Sequence, residues 1–197
     1  KRGFRAGFER ALHDPKVFNA LLATLAKPTA RFSRRLSRFY SRVGKAIEAI
    51  DPDALLFVEP MALAGIGVPS RMPRPALKNV VYAPHLYDAF VDSGGSWDGN
   101  IKRVEDALRN HKAEAKRMNA PLVIGEWGNA HRTHGRFLTA ATRVLNRAGV
   151  SAAYWDHSPG EASSLPQAQD LALAVALGPA PRRVAGTLRT FSFRPGR

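Results

Sequence analysis

The sequence predicts an α/β fold of parallel strands: about four βα units, the C-terminal half of a (β/α)8 TIM barrel, followed by the first strand of a further β-rich domain. Four short apolar segments recur along the chain and amphipathic helical patterns separate them. The segments start at positions 54, 79, 121 and 151, which are 25, 42 and 30 residues apart. A full barrel of ~250 residues allots roughly 31 to each unit.

The strand segments are Ala54–Val58 (ALLFV), Asn79–Ala83 (NVVYA), Pro121–Ile124 (PLVI) and Ser151–Trp155 (SAAYW). Each is short and rich in branched or aromatic residues, the pattern of strands covered on both faces. Phe32, Leu36, Phe39, Val43, Ile47 and Ile50 step by three and four and predict an amphipathic helix ending at Asp51-Pro52-Asp53. Arg31, Arg34, Arg35, Arg38 and Arg42 form its solvated face. Asp98 is the expected N-cap of a helix through Ile101, Val104, Leu108 and Ala115. Phe137, Ala141, Val144 and Ala148 mark a third helix, stopped by Gly149, and Pro166 opens a fourth that runs to Leu177. An open doubly wound sheet is the structural alternative, but no Gly-rich phosphate loop follows any strand.

After Gly178 the pattern changes to a period of two over Leu188–Phe193. The expected division is therefore a partial barrel over 1–178 and the start of a β-rich domain over 179–197.

Composition narrows the function. The 197 residues are 45% hydrophobic with mean hydropathy −0.25, which excludes a disordered chain. The longest apolar run, Leu171–Leu177, is far short of a membrane span. The absence of cysteine excludes disulfide scaffolds, Cys-ligated zinc and thiol nucleophiles. The chain opens on Lys1-Arg2-Gly3, without Met or a signal-like segment, and is expected to be a piece of a longer polypeptide. The net charge of +14 sits at the ends: residues 1–45 carry twelve Lys and Arg against Glu9 and Asp14, and residues 178–197 carry five Arg and no acid. Contact with anionic lipid or nucleic acid is one use of such ends, but the interleaved aromatics of single-strand binders are missing.

In parallel barrels chemistry sits just past the C-terminal end of each strand. Those positions hold Glu59-Pro60, His85-Leu86-Tyr87-Asp88, Glu126-Trp127-Gly128 and Trp155-Asp156-His157. Two acids, an imidazole, a phenol and flat aromatics at one mouth are the inventory of a sugar-cleaving site: carboxylates for nucleophile and acid/base, an aromatic plate for the pyranose. Plainer roles exist for each residue. Glu126 could pair with an Arg, His85 and Tyr87 could be a satisfied buried pair, Trp155 could cap the core and Trp127 could pack beneath the loop. His131 and His134 have the spacing of a metal pair but no third ligand nearby, so they read as loop histidines and no metal is expected. Asp156, His157 and Glu161 have no motif that ties them to a role.

The segments DPDALLFVEP (51–60), NVVYAPHLYD (79–88), PLVIGEWG (121–128) and AAYWDHSPG (152–160) together resemble the last four strands of glycoside hydrolase family 5. YAPHxYD and the PxxxxVAGT run at Pro179–Thr187 resemble its endoglycoceramidase-like branch and the entry into that branch's C-terminal β-sandwich. The resemblance covers about residues 31–193. It implies a retaining β-glycosidase with Glu126 as nucleophile, His85 and Tyr87 positioning it, and Trp155 as sugar platform. Trp127 and Glu59 are further candidates for substrate contact. No metal or organic cofactor is needed for such chemistry, and the implied substrate is a glycan on lipid or a related β-glucoside. The resemblance also leans towards a secreted protein. The family's acid/base glutamate belongs to an Asn-Glu-Pro at the end of the fourth strand, and no Asn-Glu-Pro occurs here. Glu59-Pro60 is similar only superficially, because Val58 replaces the Asn and the strand count makes it strand five. The competing readings are a truncated barrel that self-associates through open edges or binds carbohydrate without cleaving it, and a basic nucleic-acid binder.

Overall fold

The computed structural model describes residues 13–92, 96–128 and 135–155. The elements are α1 (Pro15–Glu48), β1 (Leu56–Val58), a 3-10 turn (Ala62–Ile66), β2 (Val80–Tyr82), β3 (His85–Leu86), α2 (Ala89–Asp92), α3 (Lys102–Arg117), β4 (Val123–Gly128), α4 (Gly135–Ala148) and β5 (Ser151–Trp155). The expected helix from Pro166, the boundary near Gly178 and the strand Leu188–Phe193 lie outside the described residues, as do His131, His134, Asp156, His157 and Glu161.

The strands are parallel and neighbour one another in chain order. β1 pairs with β2 (Leu56 opposite Val80), β3 with β4 (His85 opposite Glu126) and β4 with β5 (Gly128 opposite Trp155). A bridge between Tyr82 and Leu122, with Tyr82 N donating to Pro121 O at 2.9 Å, stitches the two sheets together. Among the described residues the result is an arc with β1 and β5 at its edges, and these strands do not close a barrel.

Three expectations change. The second strand breaks at Pro84, which has no N–H to give the ladder, and resumes at His85. The third strand runs on to Gly128, so Glu126 lies inside it. The outer strands are not covered on both faces: Phe57 on β1 is 56% exposed and Ser151 to Ala153 on β5 are exposed.

α1 begins well before the predicted helix, capped by Asp14, whose Oδ1 accepts from Lys16 N at 2.8 Å, and it contains Pro28. Its arginines face solvent as predicted. Its apolar stripe does not bury: Phe32, Phe39, Val43 and Ile47 are at least 41% exposed. The helix instead turns Ser33, Ser37 and Gly44 inward, with Leu36 and Tyr40 packing on Val58, Leu77 and Tyr82. Small residues let the helix approach the sheet closely, which rotates the bulky stripe outward.

α3 buries Val104, Leu108 and Ala115 as the pattern requires. Asp98 is not its cap; Ile101 holds that position without a side-chain bond. Asp98 accepts from Arg103 Nη1 at 3.0 Å and Nη2 at 2.6 Å. Burial alone would raise the Asp98 carboxyl, but the Arg103 fork and the Asn100 N–H hold it well below the usual carboxylate range. α4 buries Phe137, Leu138 and Ala141 and ends at Gly149, whose φ of 61° suits glycine.

Polar side chains of α3 tie it to the sheet. Arg103 Nε donates to Asp88 Oδ2 at 2.8 Å, with both side chains buried and the guanidinium 4.6 Å from the Phe90 ring centroid. Glu114 accepts from Tyr82 Oη, from Ser70 Oγ at 2.9 Å and from Arg71 N at 3.0 Å. His111 lies between, 1% exposed, edge-on to Tyr82.

Replacing Arg103 with Met strands the Asp88 carboxylate in the interior and is expected to cost about 3–5 kcal/mol, read from urea unfolding. Burial pushes the His111 imidazole down to about 4. The unfolded chain takes up that proton near pH 6.5 and the folded one only near 4, so stability present above 6.5 is lost as pH falls through this window. His111→Leu should flatten that part of the stability–pH curve, by about 3 kcal/mol across the window.

Candidate active site

The C-terminal edge of the sheet gathers candidate side chains from every strand run. Glu59 follows β1, and its carbonyl accepts from Tyr40 Oη at 3.0 Å, which fixes the strand end against α1. His85 opens β3, backed by the 3-10 turn: Tyr87 N donates to Gly65 O at 2.9 Å. The next residue, Asp88, accepts from Phe90 N at 2.9 Å and from Arg103, so the His85–Asp88 segment is clamped from behind. Glu126 lies opposite His85 in the ladder, and Trp155 ends β5 opposite Gly128.

Glu126 Oε1 accepts a hydrogen bond from Tyr87 Oη and lies 3.5 Å from His85 Nδ1. The other ring nitrogen, Nε2, lies 3.1 Å from Glu59 Oε1. His85 therefore stands between two carboxylates, with its ring edge-on to Tyr87 at 6.2 Å. All three side chains reach solvent: 42% of Glu59, 27% of His85 and 23% of Glu126 is exposed. Burial raises the Glu59 carboxyl above its ordinary value; the His85 ring pulls it down and the Glu126 charge pushes it up. Asp92, at the end of α2, is also raised, by burial and then by the Glu126 charge. Asp92 is a third acid beside the site that the sequence reading missed. Its only signal is its place four residues after Asp88 on a one-turn helix.

Glu59, His85, Tyr87 and Glu126 come together as expected. Trp155, 57% exposed, stands on the neighbouring strand with its side chain available to solvent. Trp127 does not join them. It is 4% exposed and packs edge-on to Tyr154 at 5.5 Å within the core cluster of Leu86, Ile124 and Leu138. An irregularity in β4 explains this: its register against β5 shifts between Ile124 and Trp127, so Trp127 joins Ile124 in the core while Glu126 stays at the mouth. Among the described residues no group of three or more His, Asp or Glu side chains is arranged to hold a metal ion.

The cellulase family, glycosyl hydrolase family 5, matches residues 25–161, well over half of the chain and all of these side chains. The chain belongs to glycosyl hydrolase family 5. A crystal structure of an endogalactoceramidase is similar over 76% of this family 5 chain, with 24% identity and a TM-score of 0.51. At that identity the likeness is one of fold, and the present chain spans 39% of the other's length. No curated protein sequence matches the chain.

The match of Gly128 to Trp155 is tight. Gly128 has φ 137°, and a Cβ there would collide with the Trp155 carbonyl and lie 2.7 Å from Tyr154 Cε2. Gly128→Ala is expected to cost on the order of 1–3 kcal/mol. It should also change the Trp155 fluorescence, because β5 must move away from β4. An unaltered melting curve and emission spectrum would contradict this packing.

Proposed function

We propose that this family 5 chain carries the nucleophile half of a retaining β-glycosidase site, with a carbohydrate as substrate and Glu126 as the attacking group. The observation that carries the reading is the convergence of Tyr87 Oη and His85 Nδ1 on Glu126 Oε1. A hydroxyl donating to one oxygen, with an imidazole beside it, fixes the direction of a carboxylate, as a nucleophile requires. Both contacts engage Oε1, which leaves Oε2 as the attacking oxygen. In the first step a bond forms between Glu126 and the anomeric carbon while the glycosidic C–O bond breaks; water then releases the sugar and regenerates the carboxylate. The exposed indole of Trp155 supplies a plate for the sugar's apolar face. The leaving oxygen takes its proton from an acid that family 5 keeps in the Asn-Glu-Pro absent from this sequence.

The preferred substrate is a β-glycoside attached to lipid, by extension from the fold neighbour named an endogalactoceramidase. The solvated arginines of α1 would hold such a protein at an anionic membrane surface, and vesicle binding that does not weaken with salt would remove that part. The exposed Leu55 and Phe57 at the β1 edge favour a second reading, in which the arc self-associates. Sedimentation that stays monomeric with rising concentration would end it.

A 2-fluoro glucosyl fluoride tests the nucleophile, because fluoride leaves without help from an acid. The expected result is a single fluoro-sugar adduct by intact mass on the wild type and none on Glu126→Ala. Tyr87→Phe should slow trapping about 10–100-fold, the loss of a charge-assisted hydrogen bond. Absence of any adduct, with and without an added barrel half bearing Asn-Glu-Pro, would overturn the reading.

A further inference from the structure

We infer that Glu59 is a positioning residue for Glu126 that acts through His85: its carboxylate holds Nε2 of the imidazole, so that Nδ1 is presented to the nucleophile. The inference rests on the reading of Glu126 above and assigns Glu59 a part distinct from both substrate contact and acid/base work.

The geometry carries it. An imidazole has two nitrogens directed away from each other, and here each meets a carboxylate, Glu59 Oε1 at 3.1 Å and Glu126 Oε1 at 3.5 Å. Backbone register fixes only one side of this arrangement, because His85 and Glu126 are ladder partners. About its side-chain torsions the ring remains free to turn Nδ1 away, and Glu59 supplies the second anchor that removes this freedom. Glu59 is itself held: Tyr40 Oη clasps its carbonyl at 3.0 Å and Pro60 behind it is buried.

Acid/base work by Glu59 fits less well. A retaining pair has its two carboxyls ~5–5.5 Å apart with the scissile bond between them. Between Glu59 and Glu126 stands the His85 ring. The neighbouring charges agree with a shared electrostatic unit, since the raised Glu59 carboxyl responds to both His85 and Glu126.

The arrangement has a chemical use. When Glu126 becomes a glycosyl ester it loses its negative charge, and its hold on His85 weakens. Glu59 is unchanged by that step and keeps the ring in place until water attacks the anomeric carbon and the carboxylate returns. No proton needs to leave Glu59 at any point.

Two measurements on the full 197-residue chain test this. The first needs no activity: the ring-nitrogen chemical shifts of His85 by long-range 15N–1H spectroscopy. Wild type should show a proton on both ring nitrogens, Nε2 facing Glu59 and Nδ1 facing Glu126, and Glu59→Gln should shift Nε2 towards the unprotonated range, with Glu59→Asp between them. Glu59 is partly exposed and Gln is its isostere, so the fold is retained; an unchanged amide spectrum checks that.

The second is the trapping of Glu126 by the fluoro-sugar. Glu59→Gln should lower the saturating trapping rate about tenfold with little change in the half-saturating concentration. In a His85→Asn background the same substitution should have no further effect, as expected of a group that acts only through the ring. Unchanged His85 shifts in Glu59→Gln would overturn the inference. A rate loss that persists without His85, or one that falls on half-saturation alone, would do the same and make Glu59 a direct substrate contact. A wild type whose ring shifts respond but which never traps sugar would sink the nucleophile reading while leaving the Glu59–His85 contact intact.

Discussion

The buried pair of Arg103 and Asp88 is the contact on which the rest of this arc depends. Asp88 is wholly buried, and desolvating a carboxylate costs several kcal/mol unless a cation meets it with good geometry. Arg103 meets it through Nε, spends its two terminal nitrogens on Asp98 and lays its plane near Phe90. One guanidinium thus joins the start of α3, the loop before it and the segment after β3. That segment holds Tyr87 and follows directly on His85, so a buried charge pair anchors the stretch of chain that presents both side chains to Glu126. Stability and site geometry share a residue here.

The other half of α3 repeats the device in a different chemistry. Glu114 collects the Tyr82 hydroxyl, the Ser70 hydroxyl and the Arg71 amide, so the long connection after β1 is pinned to the same helix. Arg74 adds to this, donating to the carbonyls of Met118 and Asn119 at 2.9 and 2.8 Å. Apolar packing of α3 on Leu86, Ile124 and Trp127 supplies the bulk of the burial, and these polar anchors fix the register. Where anchors are missing, at the outer faces of β1 and α1, large apolar side chains stand in solvent.

The parallel βα order was legible because strand segments and helical periods alternate, and the site was legible because barrel chemistry sits at strand ends. Glu59, His85, Tyr87 and Glu126 were found by position alone. The rotation of α1 was not legible: periodicity identifies an apolar stripe but not whether a partner covers it, and Ser33, Ser37 and Gly44 look like solvent positions until a sheet lies against them. Trp127 stayed open between the mouth and the packing beneath it, because the strand was expected to end at Ile124 and its register shift beyond that residue leaves no mark in the sequence. The roles of Arg103, His111 and Glu114 were hidden for another reason. Charged and polar residues on a helix normally read as its wet side, and only tertiary partners reveal them as interior.

The strict chain order of the strands has an evolutionary consequence. Each strand run lends its own groups to the mouth, and two buried ties of the middle unit, Asp88 to Arg103 and Tyr82 to Glu114, are internal to it. A crossover near Lys78 and another near Ala120 would exchange that unit as a self-consistent cassette, carrying His85 and Tyr87 while leaving Glu126 and Trp155 with their resident strands. Recombination between relatives can therefore reshuffle the groups that orient the carboxylate without dismantling the carboxylate's own ladder, so novelty at this mouth is open to inheritance in blocks.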